Sequence, residues 1–174
     1  MKKVLLHICC GVCAFACINY LKEKGFYVEG FFYNPNIAPH EEYLKRKDAA
    51  NRVCEIASIK PNEGKYNPSD WDNTCSIYRD DKEGGKRCNL CYGFRLAETF
   101  RAAIDSGFDL FATTLSISPH KKSKIINDIG LAIAPAHFMA IDFKKKDGFK
   151  KTIDLAKTYN IYRQNYCGCM YSIR

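Results

Sequence analysis

The chain contains 174 residues, 47% hydrophobic and 26% charged, which suits a single globular domain with one core. Its 27 lysines and arginines against 19 acidic residues give a net charge of +8, which is compatible with a polyanionic partner such as nucleic acid. No apolar run approaches the roughly 20 residues of a membrane span, and the apolar run after Met1 is too short for a signal peptide. We therefore expect a cytoplasmic protein with no membrane partner.

Apolar periodicity predicts strands and helices in alternation along the chain. In chain order they are a strand at 4–8, a helix at 12–24, a strand at 27–33, a helix at 39–57, a short strand beginning near 59, a helix at 92–106, a strand at 108–113, a helix at 119–131, a strand at 136–141 and a helix at 147–159. The polar residues 61–87 are expected to form a long excursion with little regular structure, and residues 160–174 an irregular tail.

This alternation predicts a single domain of the α/β class, with a Rossmann-like parallel sheet of four or five strands and helices on both faces. Right-handed crossovers bring the carboxyl ends of parallel strands to one edge of the sheet, where ligands usually bind. The segments that follow the strands at 4–8, 27–33 and 108–113 are therefore expected to line one cleft.

Cysteines dominate the chemistry that this sequence offers. The chain has ten of them, and in a cytosolic protein such clustering indicates metal or redox chemistry. Seven fall into three groups, namely Cys9, Cys10 and Cys13; Cys88 and Cys91; and Cys167 and Cys169. The other three cysteines are isolated in the sequence. Cys17 and Cys54 are expected to be small buried residues of helices, and Cys75 is assigned no role.

The first group lies in the turn between the first strand and the first helix. A phosphate-binding loop would have glycines at this place, whereas this turn has sulfur. Helix N-terminal amides lower the pKa of nearby thiols and so favour the thiolate, which is the form that binds metal or attacks a substrate. His7, on the strand itself, is expected to be a core histidine.

Two CxxC pairs, Cys10 with Cys13 and Cys88 with Cys91, have the spacing by which two thiolates bind one metal centre. A structural zinc site with four cysteines is one interpretation. The long separation between the pairs exceeds the roughly 15–20 residues typical of zinc ribbons, and Cys9 adds a fifth thiol. An iron–sulfur cluster, with or without a further metal, accommodates the fifth thiol better than a zinc site with four cysteines does.

The third group, Cys167 and Cys169, is a CxC pair. A disulfide across one residue closes a small strained ring, and strained disulfides are readily reduced, which suits a redox-active pair. Two further metal ligands or two unpaired thiols remain equally open from the spacing. Lysine runs at 121–124, 144–146 and 150–151 could contact a phosphate backbone or simply form a solvated surface.

Five motifs together resemble the QueH-type epoxyqueuosine reductases over nearly the whole chain. They are residues 6–13; 32–37 with Glu42 and Tyr43; 87–92 with Arg95 and Leu96; 113–119; and 161–169. One departure is Gly11-Val12, where the family often has Ala-Pro. We expect this exchange to matter little because neither side chain is a ligand.

The resemblance implies an adenine nucleotide alpha hydrolase-like fold and an oxidoreductase of queuosine biosynthesis. The substrate would be a tRNA anticodon loop carrying epoxyqueuosine at the wobble position. A [4Fe-4S] cluster would be held by Cys9, Cys10, Cys88 and Cys91, with Cys13 as a candidate ligand of an additional adjacent iron ion. The resemblance also implies that Cys167 and Cys169 form a redox-active disulfide. Because no flavin or nicotinamide motif is found in the sequence, electrons must come from an external donor.

Two alternatives remain on the sequence. An ATP-dependent tRNA-modifying enzyme of the same fold would carry a Ser-Gly-Gly phosphate loop where this chain has Cys9-Cys10-Gly11, which argues against ATP. A zinc-stabilised nucleic-acid-binding module would bind a colourless metal and catalyse nothing.

Overall fold

The structure, a computed structural model, describes residues 1–173. Over these residues the sheet has four parallel strands, β1 (Lys3–His7), β2 (Tyr27–Phe32), β3 (Pro61–Glu63) and β4 (Leu110–Thr113), arranged in space as β3-β2-β1-β4. The central strand β1 pairs with β2 on one side and β4 on the other, so that Leu6 stands opposite both Gly30 and Ala112. The predicted parallel sheet is confirmed.

The described part of the chain has six helices, namely α1 (Gly11–Glu23), α2 (His40–Ile56), α3 (Pro68–Cys75), α4 (Lys86–Asp105), α5 (Ser123–Ile133) and α6 (Gly148–Thr158). The main helix contacts with the strands are made by α1 and α2 on one face and α4 on the other, while α3 and α5 pack on α4 and α6 packs on α1. Alternate residues of β1 supply both cores, since Val4 and Leu6 pack with α1 and α2 while Leu5 packs with α4. Because β1, β2 and β4 are largely buried on both faces, they appear in the sequence as mostly apolar runs, whereas the short edge strand β3 is polar and largely exposed. Among residues 1–173, none of the helices has the length and apolar character required to cross a bilayer.

The prediction of little regular structure over residues 61–87 is wrong. This segment contains β3, α3 and a 3₁₀ turn at Ser76–Tyr78. Only Trp71 and Cys75 of α3 are buried, so an eight-residue helix with two core residues leaves too little periodicity to be recognised. The short strand expected near residue 59 begins at Pro61 instead. That the chain acts as one domain stays a prediction, and Arg174, at the end of the predicted tail, lies outside the described residues.

Three further boundaries differ from the expectation. Helix α4 begins at Lys86, so Cys88 and Cys91 belong to its first two turns rather than to a preceding loop. Helix α5 begins at Ser123, because residues 114–117 form a 3₁₀ turn after β4 and the chain needs several more residues to turn back. The strand expected at 136–141 is reduced to one bridge between Phe111 and Phe138.

Candidate metal and redox site

A cavity of about 880 Å³ opens at the carboxyl edge of the sheet. Its wall includes residues from the turn after β1, from α4, from the segment after β4 and from the C-terminal tail, among them Cys9, Cys13, Arg95, Lys121 and Cys167. A separate cavity of about 690 Å³, beside Glu29 and Lys60, has no cysteine among the described residues that line it. The first cavity, which Cys9, Cys13 and Cys167 line, is therefore the candidate site for sulfur chemistry.

The turn after β1 brings the first three thiols into contact. Ligand atoms of Cys9, Cys10 and Cys13 all lie within 4.8 Å of one another, and the Sγ atoms of Cys10 and Cys13 are 2.7 Å apart. Cys10 is the extended residue before α1, and Cys13 lies in the first turn of that helix. Thr114, directly after β4, accepts a hydrogen bond from the Cys9 backbone N–H at 3.0 Å and donates one to the Cys9 Sγ at 3.3 Å.

These contacts shift the pKa values of the thiols in opposite directions. Hydrogen bonds from Cys10 and Cys13 hold the pKa of Cys9 well below its ordinary value. Hydrogen bonds with Cys10 and Cys9, together with burial, raise the pKa of Cys13 well above its ordinary value. A negative charge in this group therefore resides first on Cys9, which lines the cavity. Three thiols this close are the donor set that a thiophilic metal centre requires.

Gly11, between Cys10 and Cys13, lies in the contact between α1 and α2. A Cβ at this position would lie 2.7 Å from the backbone oxygen of Ala49 on α2. The sequence-based expectation that the Gly-for-Ala exchange matters little is therefore too simple, because the missing methyl group determines how near α2 can pack to the cysteine turn.

The second pair of thiols is carried by α4. Cys88 and Cys91 are each 7% exposed, and burial raises the pKa of both. The Cys88 Sγ accepts a hydrogen bond from the Gly84 N–H at 3.2 Å, and the Cys91 Sγ lies 3.8 Å from Nη1 of Arg95. A buried thiol with a raised pKa becomes an effective ligand once a metal takes the place of its proton.

Two cations, Arg95 and Lys121, lie near the thiols of the site. Arg95 is 3% exposed, donates through Nη2 to the Asn34 side-chain oxygen at 2.5 Å and has no carboxylate partner within the described residues. Burial alone would lower the pKa of Lys121, but the thiols of Cys167 and Cys9 raise it above its ordinary value. A buried cation without a carboxylate needs another anion, and thiolates or an anionic cluster supply it.

The C-terminal tail reaches both groups of thiols. Cys167 lines the cavity, whereas Cys169 is 6% exposed and packs with Trp71, Cys75 and Cys91. Neither cysteine of the CxC pair is in a disulfide in this structure. The pair therefore stands between the cavity on one side and the buried thiols of α3 and α4 on the other.

Cys75 is the residue that the sequence-based reasoning missed. It is fully buried at the end of α3, in the cluster that contains Cys91 and Cys169. Its only sequence signal is its place four residues after Trp71, the spacing of one helix face. The other isolated cysteines are as expected, since Cys17 and Cys54 are both buried helix residues.

His7 is also as expected. It is buried in the core, with Nδ1 hydrogen-bonded to Thr113 at 2.8 Å and Nε2 to the backbone oxygen of Tyr33 at 3.1 Å, and burial lowers its pKa to about 3. A neutral histidine with both ring nitrogens hydrogen-bonded is a structural residue that connects β1 with β4 and the segment after β2.

Fold and site together define a protein with a Rossmann-like, adenine nucleotide alpha hydrolase-like fold and a cysteine site at the edge of the sheet. The U34-tRNA thiolase NcsA from Methanococcus maripaludis, solved with its [4Fe-4S] cluster, matches with a TM-score of 0.62 at 15% identity, over 99% of this chain and 62% of NcsA. NMN synthetase from Francisella tularensis matches with a TM-score of 0.55 at 10% identity, over 94% of this chain and 66% of its own. At these identities the likeness establishes the fold alone.

A family model for epoxyqueuosine reductase QueH matches residues 4–174, and this chain belongs to that family. The QueH of Thermotoga maritima is 36% identical over 179 residues, which cover 99% of this chain and 91% of that protein. The QueH of Streptococcus pyogenes is 33% identical over 180 residues, which cover 98% of this chain and 70% of that protein. The QueH of Acinetobacter baylyi is 34% identical over 176 residues, which cover 99% of this chain and 81% of that protein. The family expected from the five motifs is confirmed.

Proposed function

We propose that this protein is an epoxyqueuosine reductase, which converts the epoxide of epoxyqueuosine at the wobble position of tRNA to the alkene of queuosine. The observation that carries this proposal is that Cys9 and Cys13, from the turn after β1, and Cys167, from the C-terminal tail, line one cavity in a member of the QueH family, with Cys91 beside Arg95 of the cavity wall. The substrate base belongs to an anticodon loop, so it can be turned into a cavity of this size without opening a duplex.

The cofactor that suits these residues is a [4Fe-4S] cluster held by Cys9, Cys10, Cys88 and Cys91. Support comes from the contact of the first two thiols and from buried Arg95, whose charge a cluster of thiolate-bound iron would balance. Cys13 is proposed to bind an additional adjacent iron ion. When bound, such a centre would conduct electrons and act as a Lewis acid toward the epoxide oxygen.

Cys167 and Cys169 are proposed to supply the reducing equivalents. Removing the epoxide oxygen as water consumes two electrons and two protons. A pair of thiols provides both as it becomes a disulfide, so that two S–H bonds break and one S–S bond forms. The position of Cys167 in the cavity wall supports this role. An external electron donor then restores the dithiol.

Lys121 and Arg95 are proposed to hold the charge of the site. Their ammonium and guanidinium groups lie beside Cys9 and Cys91, where they stabilise thiolates and offset negative charge that develops on the substrate oxygen. The exposed lysines near residues 145–151 are proposed to contact the phosphates of the tRNA. We further propose that residues 1–174 act as a single domain in the cytoplasm, where the tRNA substrate is found.

One experiment separates this function from its two alternatives. The protein is purified without oxygen, its iron and zinc are measured, and it is mixed with an anticodon stem-loop carrying epoxyqueuosine and a chemical reductant, without ATP. We expect iron with broad visible absorption, and a product that has lost one oxygen by mass spectrometry. Zinc without iron would favour the nucleic-acid-binding module, and product formation that requires ATP would favour the ATP-dependent enzyme.

A further inference from the structure

The C-terminal tail is attached to α2 by one buried ion pair. Glu42 and Arg46 stand one helical turn apart, with the Nε of Arg46 2.7 Å from the Oε1 of Glu42, and they are 7% and 2% exposed. A buried ion pair must recover a large desolvation penalty through further hydrogen bonds. In this protein those further bonds all go to the tail.

Both terminal nitrogens of Arg46 bind the backbone at the CxC pair. Nη1 donates to the carbonyl oxygen of Cys167 at 2.9 Å, and Nη2 donates to that of Tyr166 at 3.1 Å. The guanidinium carbon also lies 5.0 Å from the centre of the Tyr166 ring, within the range of a cation–π contact. Glu42 completes the arrangement by accepting a hydrogen bond from the Tyr162 hydroxyl at 2.7 Å.

The residue between the two cysteines is fitted against the same guanidinium. Gly168 has a φ of 122°, a conformation that favours glycine, and a Cβ there would lie 2.9 Å from the Nη1 of Arg46. Its carbonyl oxygen accepts a hydrogen bond from the Ala38 N–H at 2.9 Å. The backbone of Tyr166, Cys167 and Gly168 is therefore held at three successive carbonyl groups.

We propose that Arg46 is a positioning residue for the reduction. Its guanidinium fixes the backbone around Gly168 so that Cys167 faces the cavity while Cys169 stays with the buried thiols. Arg46 acts through this backbone and transfers neither electrons nor protons itself. The inference rests on the proposed redox role of Cys167 and Cys169.

The planar geometry of the Arg46 guanidinium, which binds two carbonyl groups, determines which variant tests the proposal. A guanidinium donates to two carbonyls at once, whereas an ammonium at the end of a lysine cannot reproduce this planar fork. Arg46→Lys therefore keeps the positive charge beside Glu42 and removes the two-point attachment of the tail. Arg52→Lys is the matched control, because Arg52 lies on the same helix with its side chain exposed.

The test is single-turnover kinetics together with iron content and binding of an anticodon stem-loop carrying epoxyqueuosine. For Arg46→Lys we expect unchanged iron and binding, and a first-turnover rate lower by about tenfold to a hundredfold. Arg52→Lys should match the unmodified protein. Normal turnover by Arg46→Lys would overturn the proposal. So would a weaker apparent affinity with an unchanged maximal rate, which indicates a substrate contact, or a parallel fall of iron, melting temperature and rate, which indicates a structural role.

A second measurement needs no substrate. The protein is equilibrated in glutathione buffers, and the oxidised fraction of the Cys167–Cys169 pair is read by mass spectrometry. Arg46→Lys should shift this equilibrium, because a tail held less tightly changes the closure of the small ring, and Arg52→Lys should not. If Arg46→Lys fails to fold, Gly168→Ala presses on the same guanidinium and should give the same two effects.

The double change Cys167→Ser with Cys169→Ser distinguishes a failure of the redox role of the pair from a failure of the positioning role of Arg46. If that protein reduces the substrate normally, the redox role fails and the positioning role fails with it. If it is inactive while Arg46→Lys is fully active, the redox role stands and only the role of Arg46 is rejected.

Discussion

Arg95 lies one turn after Cys91 on α4, with its Nη1 3.8 Å from the Cys91 sulfur, and its Nη2 donates to Asn34 at the end of β2. Asn34 in turn donates through its side-chain amide to the backbone oxygen of Ile8 at 2.9 Å, just before the first cysteines. One buried cation thus connects the helix that carries the second thiol pair with the sheet edge that carries the first.

The first prediction concerns this cation. Changing Arg95 to Met removes the positive charge beside Cys91 and Cys9, so we expect a lower iron content after anaerobic reconstitution. Iron per chain and visible absorbance are the measurements. Arg101→Met is the control, because Arg101 is an exposed residue of the same helix, paired with Glu98. Full iron loading of Arg95→Met would contradict the proposed charge balance.

The second prediction concerns the cluster ligands. Changing Cys9, Cys10, Cys88 or Cys91 singly to Ala should strip or destabilise the cluster and abolish turnover. Cys54→Ala is the control, since Cys54 is buried away from the cavity between α2 and the sheet, and it should keep its iron. Iron analysis and product formation are compared across the set. A fully loaded and active Cys88→Ala protein would rule out the proposed ligand set.

The third prediction concerns Cys167 and Cys169. Their double change to Ser should leave iron loading and tRNA binding nearly intact while it removes catalysis, because only the electron supply is removed. If one of the two cysteines binds metal instead, the same protein will contain less iron. Measuring iron and single-turnover product on this one variant separates these roles, and full iron with normal product formation excludes both.

The fourth prediction concerns tRNA affinity. Lys144 is committed to the fold, because its Nζ donates to the backbone oxygens of Ser116 and Lys121 at 3.1 and 3.0 Å. Lys150 and Lys151 are exposed, and changing both to Ala should weaken tRNA binding. The slope of log affinity against log salt should also fall, by about one for each phosphate that these lysines no longer neutralise.

The measurement is fluorescence anisotropy of a labelled anticodon stem-loop over a range of salt concentrations. Lys60→Ala is the control, since Lys60 lies at the separate cavity. Binding that does not respond to salt in the unmodified protein would mean that the basic runs are only a solvated surface.

The fifth prediction concerns the packing of the cysteine turn. Gly11→Ala places a methyl group against the Ala49 backbone, so α2 must shift, and we expect destabilisation of about 1–3 kcal/mol in urea unfolding. Gly93→Ala is the matched control within α4, where the added Cβ meets only Ile129 at 3.8 Å. That change should be neutral or stabilise by up to about 1 kcal/mol through helix propensity. Equal stability of the two variants would contradict the close approach of α1 and α2.

The amino-acid sequence alone was enough to predict the parallel sheet, three of the helices (α1, α2 and α6) nearly to their ends and the position of the cysteine turn. These features follow from local patterns, since apolar runs bounded by glycine mark buried strands and the spacing Cys10-x-x-Cys13 places both thiols at one helix start. The motifs also predicted the family that the comparison with relatives confirmed. Helix α3 was missed because eight residues with two core positions carry little periodicity.

Only the tertiary structure decided which of these groups meet. Cys75 joins Cys91 and Cys169, Arg95 of α4 binds Asn34 after β2, and Arg46 binds the backbone of Cys167, although the residues of each contact lie far apart in the chain. Such contacts depend on how α3, α4 and the tail fold back over the sheet edge. Periodicity records which face of an element is buried but not which distant segment covers it, so no local pattern assigned a role to the two arginines that hold the site together, although Arg95 belongs to one of the five motifs.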